Sequence, residues 1–208
     1  MTDASLAAFV PRENCVLGYW FGRAGDDAAV FAEKGSLWFK ADAAVDADIR
    51  DRFAALREGA IAGRLDGWLE SPRGRLALVI LVDQFSRNLF RDDARAFTHD
   101  GLARDWVDEG LRLGVDQELS LVERPFFYMP LQHAESIAHQ QHSVALFTHL
   151  RDVAPPALRA RFANTLDYAE RHRDIIARFG RFPHRNAVLG RVSTAAEIDF
   201  LAQPGSSF

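Results

Sequence analysis

The feature that most constrains the fold is an uninterrupted apolar run, Leu76–Val82, with the sequence Leu-Ala-Leu-Val-Ile-Leu-Val. A segment that is apolar on every face must be buried on every side, whether it forms a strand or a helix. Ser71-Pro72 is a good N-cap and first-turn pair for a helix, and no turn residue separates the run from Asp83–Phe90. No second run of comparable quality could pair with it as a strand. We therefore predict a buried central helix around residues 72–90 and an all-α fold.

Apolar residues recur at helical spacing through most of the remaining chain. The pattern predicts helices over about 43–63, 101–113, 131–150 (with Pro130 in the first turn) and from Pro156 to just before Gly180. Thr194-Ala195-Ala196-Glu197 has the form of a capping box, which predicts a short last helix. No linker or low-complexity segment interrupts the 208 residues, so we expect one helical domain over 1–208.

Composition excludes several classes of protein. The single cysteine, Cys15, excludes an internal disulfide framework and a Cys-based zinc site, and we expect it to be a small core residue. A net charge of −4 argues against DNA as a partner. The start, Met1-Thr2-Asp3-Ala4, lacks the features of a secretory signal, and no apolar run approaches the ~20 residues that span a bilayer. We expect a cytoplasmic protein with no membrane partner.

The first segment that could carry chemistry follows the apolar run directly. In a helix, Asp83 and Arg87 are four residues apart, and so are Gln84 and Asn88, which predicts one contiguous polar patch. Burying such a patch is costly unless each group has a partner. Two interpretations are open: the four side chains line a pocket, or they form a buried network that joins neighbouring helices.

A second segment contains His133 and Glu135. On a continuous helix, Glu135 would share a stripe with His139 and His142, and imidazole and carboxylate at this spacing can chelate a metal ion. A solvated helix face explains the same stripe better, because no His-Glu-x-x-His motif is present. The sequence therefore predicts no metal site.

A third segment, residues 171–191, holds six arginines and one acidic residue. His172 falls on the apolar face of its helix, and Gly180 and Pro183 predict a tight turn that displays the residues after it, which are His184, Arg185 and Asn186. Arginine forks here suit a carboxylate or phosphate. Ion pairs and stabilisation of a helix C-terminus are an equally good explanation. RNA binding by this segment is the least favoured interpretation.

Together these segments resemble a bacterial family, the "domain of unknown function 924" family, over nearly the whole chain. The likeness is carried by Leu-Gly-Tyr-Trp-Phe-Gly at 17–22, Leu-Trp-Phe at 37–39, Val-Asp-Gln-Phe-Ser-Arg-Asn-Leu-Phe-Arg at 82–91, Tyr-Met-Pro-Leu-Gln-His-Ala-Glu at 128–135 and Phe-Gly-Arg-Phe-Pro-His-Arg-Asn at 179–186, followed by Leu-Gly-Arg and Ser-Thr. Ser86 and Gln132 stand where many members have Pro and Glu. The resemblance implies a right-handed, tetratricopeptide-like array of antiparallel helical hairpins and brings no established activity or cofactor.

Two functions follow from these residues. The first is a binding module whose aromatic and arginine-lined groove holds a protein or peptide partner or a small anionic ligand. Its candidate ligand-binding residues are Gln84, Arg87, Asn88, His172, Arg181, Arg185 and Asn186. The alternative is a hydrolase-type enzyme in which a His–carboxylate pair acts as general base. Its candidate catalytic residues are Asp83, His133, Glu135 and His184. No nucleotide fingerprint or phosphate loop is present, so no cofactor is expected.

Overall fold

The computed structural model describes residues 13–22 and 26–207. In these ranges the chain is helical and contains no strand, which confirms the all-α prediction. The helices are α1 (Glu13–Phe21), α2 (Asp27–Phe39), α3 (Ala43–Ile61), α4 (Pro72–Val79), α5 (Phe85–Leu89), α6 (Asp100–Arg112), α7 (Arg124–Gln132), α8 (Ile137–Val153), α9 (Pro156–Phe179) and α10 (Ala195–Leu201). The N-terminal segment 1–4, on which the expectation about a secretory signal rests, lies outside the described residues.

The central helix forms where the apolar run predicts it. The Ser71 hydroxyl accepts a hydrogen bond from the Gly74 amide at 3.0 Å, which caps α4. A π-helical turn, Ile80–Gln84, joins α4 to α5. Residues 76–82 are at most 1% exposed, since α1, α6 and α7 pack around α4 while α3 packs against the π-turn and α5. The π-turn matters for the site because it places Asp83 on the buried side of this helix.

Aromatic side chains from distant segments form much of the core around the central helix. Trp20 meets Phe85 and Phe126 edge-to-face, with ring centroids 5.4 and 5.7 Å apart. Phe53 of α3 packs against Phe85 at 5.0 Å. Such pairs contribute about 0.5–1.5 kcal/mol each beyond the burial of their surface. They fix α1, α3 and α7 around one helix, which positions the residues of the site.

The helix predicted over 131–150 is wrong at its start. Pro130 lies inside α7, which ends at Gln132, and α8 begins four residues after His133. The break is stabilised by the fully buried Gln140, whose side-chain amide donates to the carbonyl oxygens of Gln132 at 2.6 Å and Ala134 at 2.8 Å. These bonds satisfy backbone acceptors that a helix end leaves open. The turn that results carries His133 and Glu135.

The expectation that Cys15 belongs to the core is also wrong, because its side chain is exposed. α1 buries Val16, Leu17, Trp20 and Phe21 on one face. At about 100° per residue, Cys15 lies opposite the centre of that face. The capping box at Thr194 and Glu197 is confirmed, with both of its hydrogen bonds present. Within the described residues, none of the helices is both long and apolar enough to cross a membrane.

Candidate functional site

A cavity of about 1470 Å³ lies beside α9 and is bounded by residues from α5 and α7, the end of α2 and the segment around 183–188. Its lining includes many of the residues singled out in the sequence: Gln84, Arg87, Asn88, His133, His172, His184 and Arg185. The tertiary structure therefore brings all three segments to one place. The pocket interpretation of Gln84 and Asn88 is compatible with this placement, although Asn88 also donates to Asp46 of α3 at 2.8 Å.

Three other candidates, Glu135, Arg181 and Asn186, lie outside the cavity lining. Their contacts hold the segment after α9 in place. Glu135 accepts the Phe182 amide at 2.8 Å and forms two hydrogen bonds with Arg191, at 2.7 and 2.9 Å. Arg181 pairs with Glu197 through two hydrogen bonds, and the Asn186 amide donates to the Ser193 hydroxyl. These contacts organise the polypeptide that carries Arg185, and they favour ion pairing as the role of Arg181 and Arg191.

Asp83 lies beneath the cavity and is completely buried. One carboxylate oxygen, Oδ1, is 2.8 Å from Nδ1 of His133 and 3.0 Å from Nη1 of Arg87. The other accepts from the Gln84 amide at 2.6 Å. Burial by itself would raise the pKa of Asp83, but Arg87 and His133 lower it below its ordinary value, so the carboxylate is ionised. Asp83 and Arg87, which the helical spacing placed in one polar patch, form an ion pair, and Asp100 supplies Arg87 with a second carboxylate at 3.0 Å.

His133 presents one ring nitrogen to the cavity. Its Nδ1 is directed at Asp83, so Nε2 is the nitrogen available to a molecule in the cavity. Burial lowers the pKa of His133, and the nearby Arg87 adds to this effect, so the ring is neutral at pH 7. A neutral ring that donates from Nδ1 to a carboxylate carries its lone pair on Nε2. This is the arrangement required of a general base.

Arg185 is a buried cation with few partners. Its guanidinium lies between the rings of Phe97 and Phe182, at 4.7 and 4.4 Å from their centroids. Nη1 donates to the His133 carbonyl at 3.0 Å, Nε is buried without a partner, and the carboxylate of Asp100 is 3.9 Å away. Burial and the neighbouring Arg87 lower the pKa of Arg185 to about 10, which still leaves it charged at pH 7.

The turn predicted to display residues 184–186 instead buries two of them. Arg185 is 7% exposed and Asn186 is 1% exposed. The reason is that the side chain of Arg185 inserts between two aromatic rings, one of which comes from a segment more than eighty residues earlier. Sequence spacing alone contains no sign of this contact.

Two further histidines complete the polar end of the cavity. The ring of His172 lies 6.4 Å from that of His133, and His172 and His184 each lie 5.5 Å from Phe182. Burial lowers the pKa of His172 to about 3 and, with Arg185, that of His184 to about 4. Both rings are therefore neutral at pH 7, and the positive charge at this end comes from the arginines.

Apart from His172, the wall of the cavity formed by α9 was not predicted from the sequence. Along α9 the lining residues recur every three or four positions: Ala160, Arg161, Asn164, Thr165, Tyr168, Arg171 and His172. This polar face lies beside the apolar one, and its period is visible in the sequence. The aromatic residues Trp38, Phe39 and Phe97 were also missed, and no local signal connects them with α9.

The stripe of Glu135, His139 and His142 does not form. Glu135 belongs to the turn before α8 and faces Arg191, whereas His139 contacts Ser136 at 3.0 Å and Asp108 at 3.2 Å. Within residues 13–22 and 26–207, no group of three or more His, Cys, Asp or Glu side chains is arranged to hold a metal ion.

The fold and the cavity define an all-α protein with an arginine-lined cavity. The chain belongs to the family described as bacterial protein of unknown function (DUF924), whose sequence profile matches residues 16–205. This confirms the resemblance found in the sequence motifs. A solved protein of unknown function from Agrobacterium tumefaciens is 43% identical, with a TM-score of 0.73 over 85% of this chain and 95% of that chain. No curated protein matches the chain.

Proposed function

We propose that the protein binds a small organic anion, a carboxylate or a phosphate, at Arg185. The observation that carries this proposal is the incomplete neutralisation of the Arg185 guanidinium, which among the described residues has one hydrogen bond and no carboxylate closer than 3.9 Å. A buried charge without a close counterion is costly. An anion in the cavity would supply the missing charge and accept from the remaining N–H groups.

The surroundings of Arg185 support the same ligand class. Among the residues that the structure describes, the cavity is lined by one carboxylate, Asp92, and by six cationic side chains: Lys40, Arg87, Arg91, Arg161, Arg171 and Arg185. Of these, Arg87 and Arg91 already pair with buried aspartates. The side chain of Arg185 is only 8% exposed, which favours the end group of a small molecule over the side of a peptide.

Isothermal titration calorimetry with acetate, benzoate, phosphate and pyrophosphate tests this proposal. We expect at least one anion to bind, and Arg185→Met to weaken it about 10- to 100-fold, because a hydrogen bond to a charged group is worth about 1.5–3 kcal/mol. The matched control is Arg112→Met, which removes the same charge at an exposed position outside the cavity. Failure of all four anions to bind, or equal losses in both variants, would contradict the proposal.

A second candidate function is hydrolysis with His133 as the general base. The specific observation is the Asp83–His133 pair, which leaves Nε2 facing the cavity, while the backbone carbonyl of His133 accepts a hydrogen bond from Arg185. In this reaction Nε2 accepts a proton from water as the water oxygen bonds to the carbonyl carbon or phosphorus of the substrate. The negative charge that develops lies next to Arg185. His133 then returns the proton to the leaving group as its bond breaks.

Turnover of 4-nitrophenyl acetate and 4-nitrophenyl phosphate tests this candidate. We expect His133→Gln to abolish turnover together with its dependence on pH, since the proton acceptor is removed. His139→Gln changes a histidine outside the cavity and should retain both. Equal rates in the two variants would exclude His133 as the base while leaving anion binding untouched.

A further inference from the structure

The cavity extends well beyond the anion site. α9 lines it from Ala160 to His172. At one end His172 lies beside His133, and at the other the guanidinium of Arg161 lies 5.1 Å from the ring of Phe31. The separation of eleven residues from Arg161 to His172 corresponds to about 16 Å of helix. A carboxylate or phosphate at Arg185 would therefore fill only one end.

The far end is aromatic. Trp38 lies 5.6 Å from Phe31 and 6.0 Å from Phe39, and all three line the cavity. Phe39 is 60% exposed, an unusual state for a phenylalanine beside other aromatic rings. Leu37, Met129 and Phe147 also line the cavity and add apolar surface to it. An apolar group placed here would remove this surface from water.

The cations near the aromatic end do not indicate a second anionic group. The guanidinium of Arg91 binds both carboxylate oxygens of Asp46. That of Arg161 stacks on Phe31, so its aliphatic stem and its planar group cover apolar surface. Lys40, next to Phe39, is exposed to solvent, whereas Arg185, at the opposite end from Phe31, is buried with no carboxylate of the described residues closer than 3.9 Å.

We infer that the ligand is an amphipathic organic anion, with its carboxylate or phosphate at Arg185 and an apolar chain that lies along α9 toward Trp38 and Phe31. This inference rests on the proposed anion binding and adds the chemical class of the rest of the molecule. Each methylene buried along the wall should contribute about 0.8 kcal/mol, which corresponds to about a fourfold gain in affinity.

Calorimetry with butanoate, hexanoate, octanoate and dodecanoate, each below its micelle concentration, tests the inference. We expect affinity to rise about fourfold per methylene until the cavity is filled. Asn164→Trp places a large ring on the cavity face of α9 and should weaken dodecanoate at least tenfold while leaving butanoate unchanged. Ala163→Trp is the matched control, because it adds the same ring at an exposed position of α9 outside the lining.

The outcomes separate the inference from the proposed function. If all four carboxylates bind with equal affinity and binding still depends on Arg185, the inference of an apolar chain along α9 is overturned, whereas the proposal of anion binding is preserved. Equal binding of 1-octanol and octanoate would show that the head group is not recognised, which overturns both. Equal losses in Asn164→Trp and Ala163→Trp would overturn the assignment of the chain to this face of α9.

Discussion

The carboxylate of Asp83 and the imidazole of His133 are fifty residues apart in sequence and 2.8 Å apart in the structure. Asp83 comes from the π-turn of the central helix, and His133 comes from the turn after α7. The carbonyl group of His133 also accepts from Arg185. One residue thus connects the central helix with the cation that we propose as the anion site, so we expect changes at this residue to affect both stability and the proposed anion binding.

Replacing Asp83 should destabilise the protein strongly. Asp83→Asn keeps the size of the side chain and removes the charge that faces Arg87 and His133. Breaking a buried ion pair in this way costs about 3–5 kcal/mol in the free energy of unfolding. Urea denaturation measures the loss. Asp48→Asn, which breaks an exposed pair with Arg52, should cost less than about 1 kcal/mol, and similar losses in both variants would contradict the importance of the buried pair.

Glu135 should stabilise the segment after α9 locally. Its carboxylate accepts the Phe182 amide and binds Arg191. Glu135→Gln can retain the first bond but loses the charge, so we expect a loss of about 1–2 kcal/mol and faster hydrogen exchange at the Phe182 amide. Exchange measured by NMR reports this directly. Unchanged protection of Phe182 would show that the segment is held by other contacts.

Stability should fall as the solution becomes acidic, because His172 resists protonation in the folded state. Its pKa is lowered from 6.5 to about 3 by burial. Between these values the unfolded chain binds a proton at this residue that the folded chain does not, so His172 by itself lowers the free energy of unfolding by about 1.4 kcal/mol per pH unit below about 6.5. His184, whose pKa is lowered to about 4, adds to this fall.

Urea denaturation at pH 7, 6 and 5 checks this linkage. His172→Gln should reduce the slope of the free energy of unfolding against pH by the contribution of one proton, about 1.4 kcal/mol per pH unit. The matched control is His149→Gln, at an exposed position of α8, which should leave the slope unchanged. A wild-type slope that persists in His172→Gln would assign the linkage to other groups.

Replacing Gly74 and Gly35 by alanine should change the stability of the protein in opposite directions. A Cβ at Gly74 would lie 2.3 Å from the carbonyl oxygen of Trp68 and 2.7 Å from the Ser71 hydroxyl, so Gly74→Ala should destabilise by about 1–3 kcal/mol. Gly35 lies inside α2 with no heavy atom of the described structure within 4 Å of such a Cβ. Gly35→Ala should therefore stabilise by about 0.5–1 kcal/mol. Thermal melting distinguishes the two signs.

Several features were predictable because they depend on neighbours in sequence. The apolar run indicates the buried central helix, and Pro156 and Gly180 indicate the two ends of α9. Capping at Thr194 and the ion pair of Asp83 with Arg87 follow from spacings of three and four residues. The motifs also indicate the family. Helical periodicity and caps involve contacts within one or two turns, and such contacts are already visible in the order of the residues.

Other features were decided by the tertiary structure. The helix break after Gln132 depends on the amide of Gln140, and the burial of Arg185 depends on Phe97. The same is true of the pairing of Asp83 with His133 and of the aromatic end of the cavity at Trp38. Each of these contacts joins groups from different helices or turns, or from opposite sides of a helix break. The site therefore depends on how the helices pack, whereas the helices themselves depend mainly on local sequence.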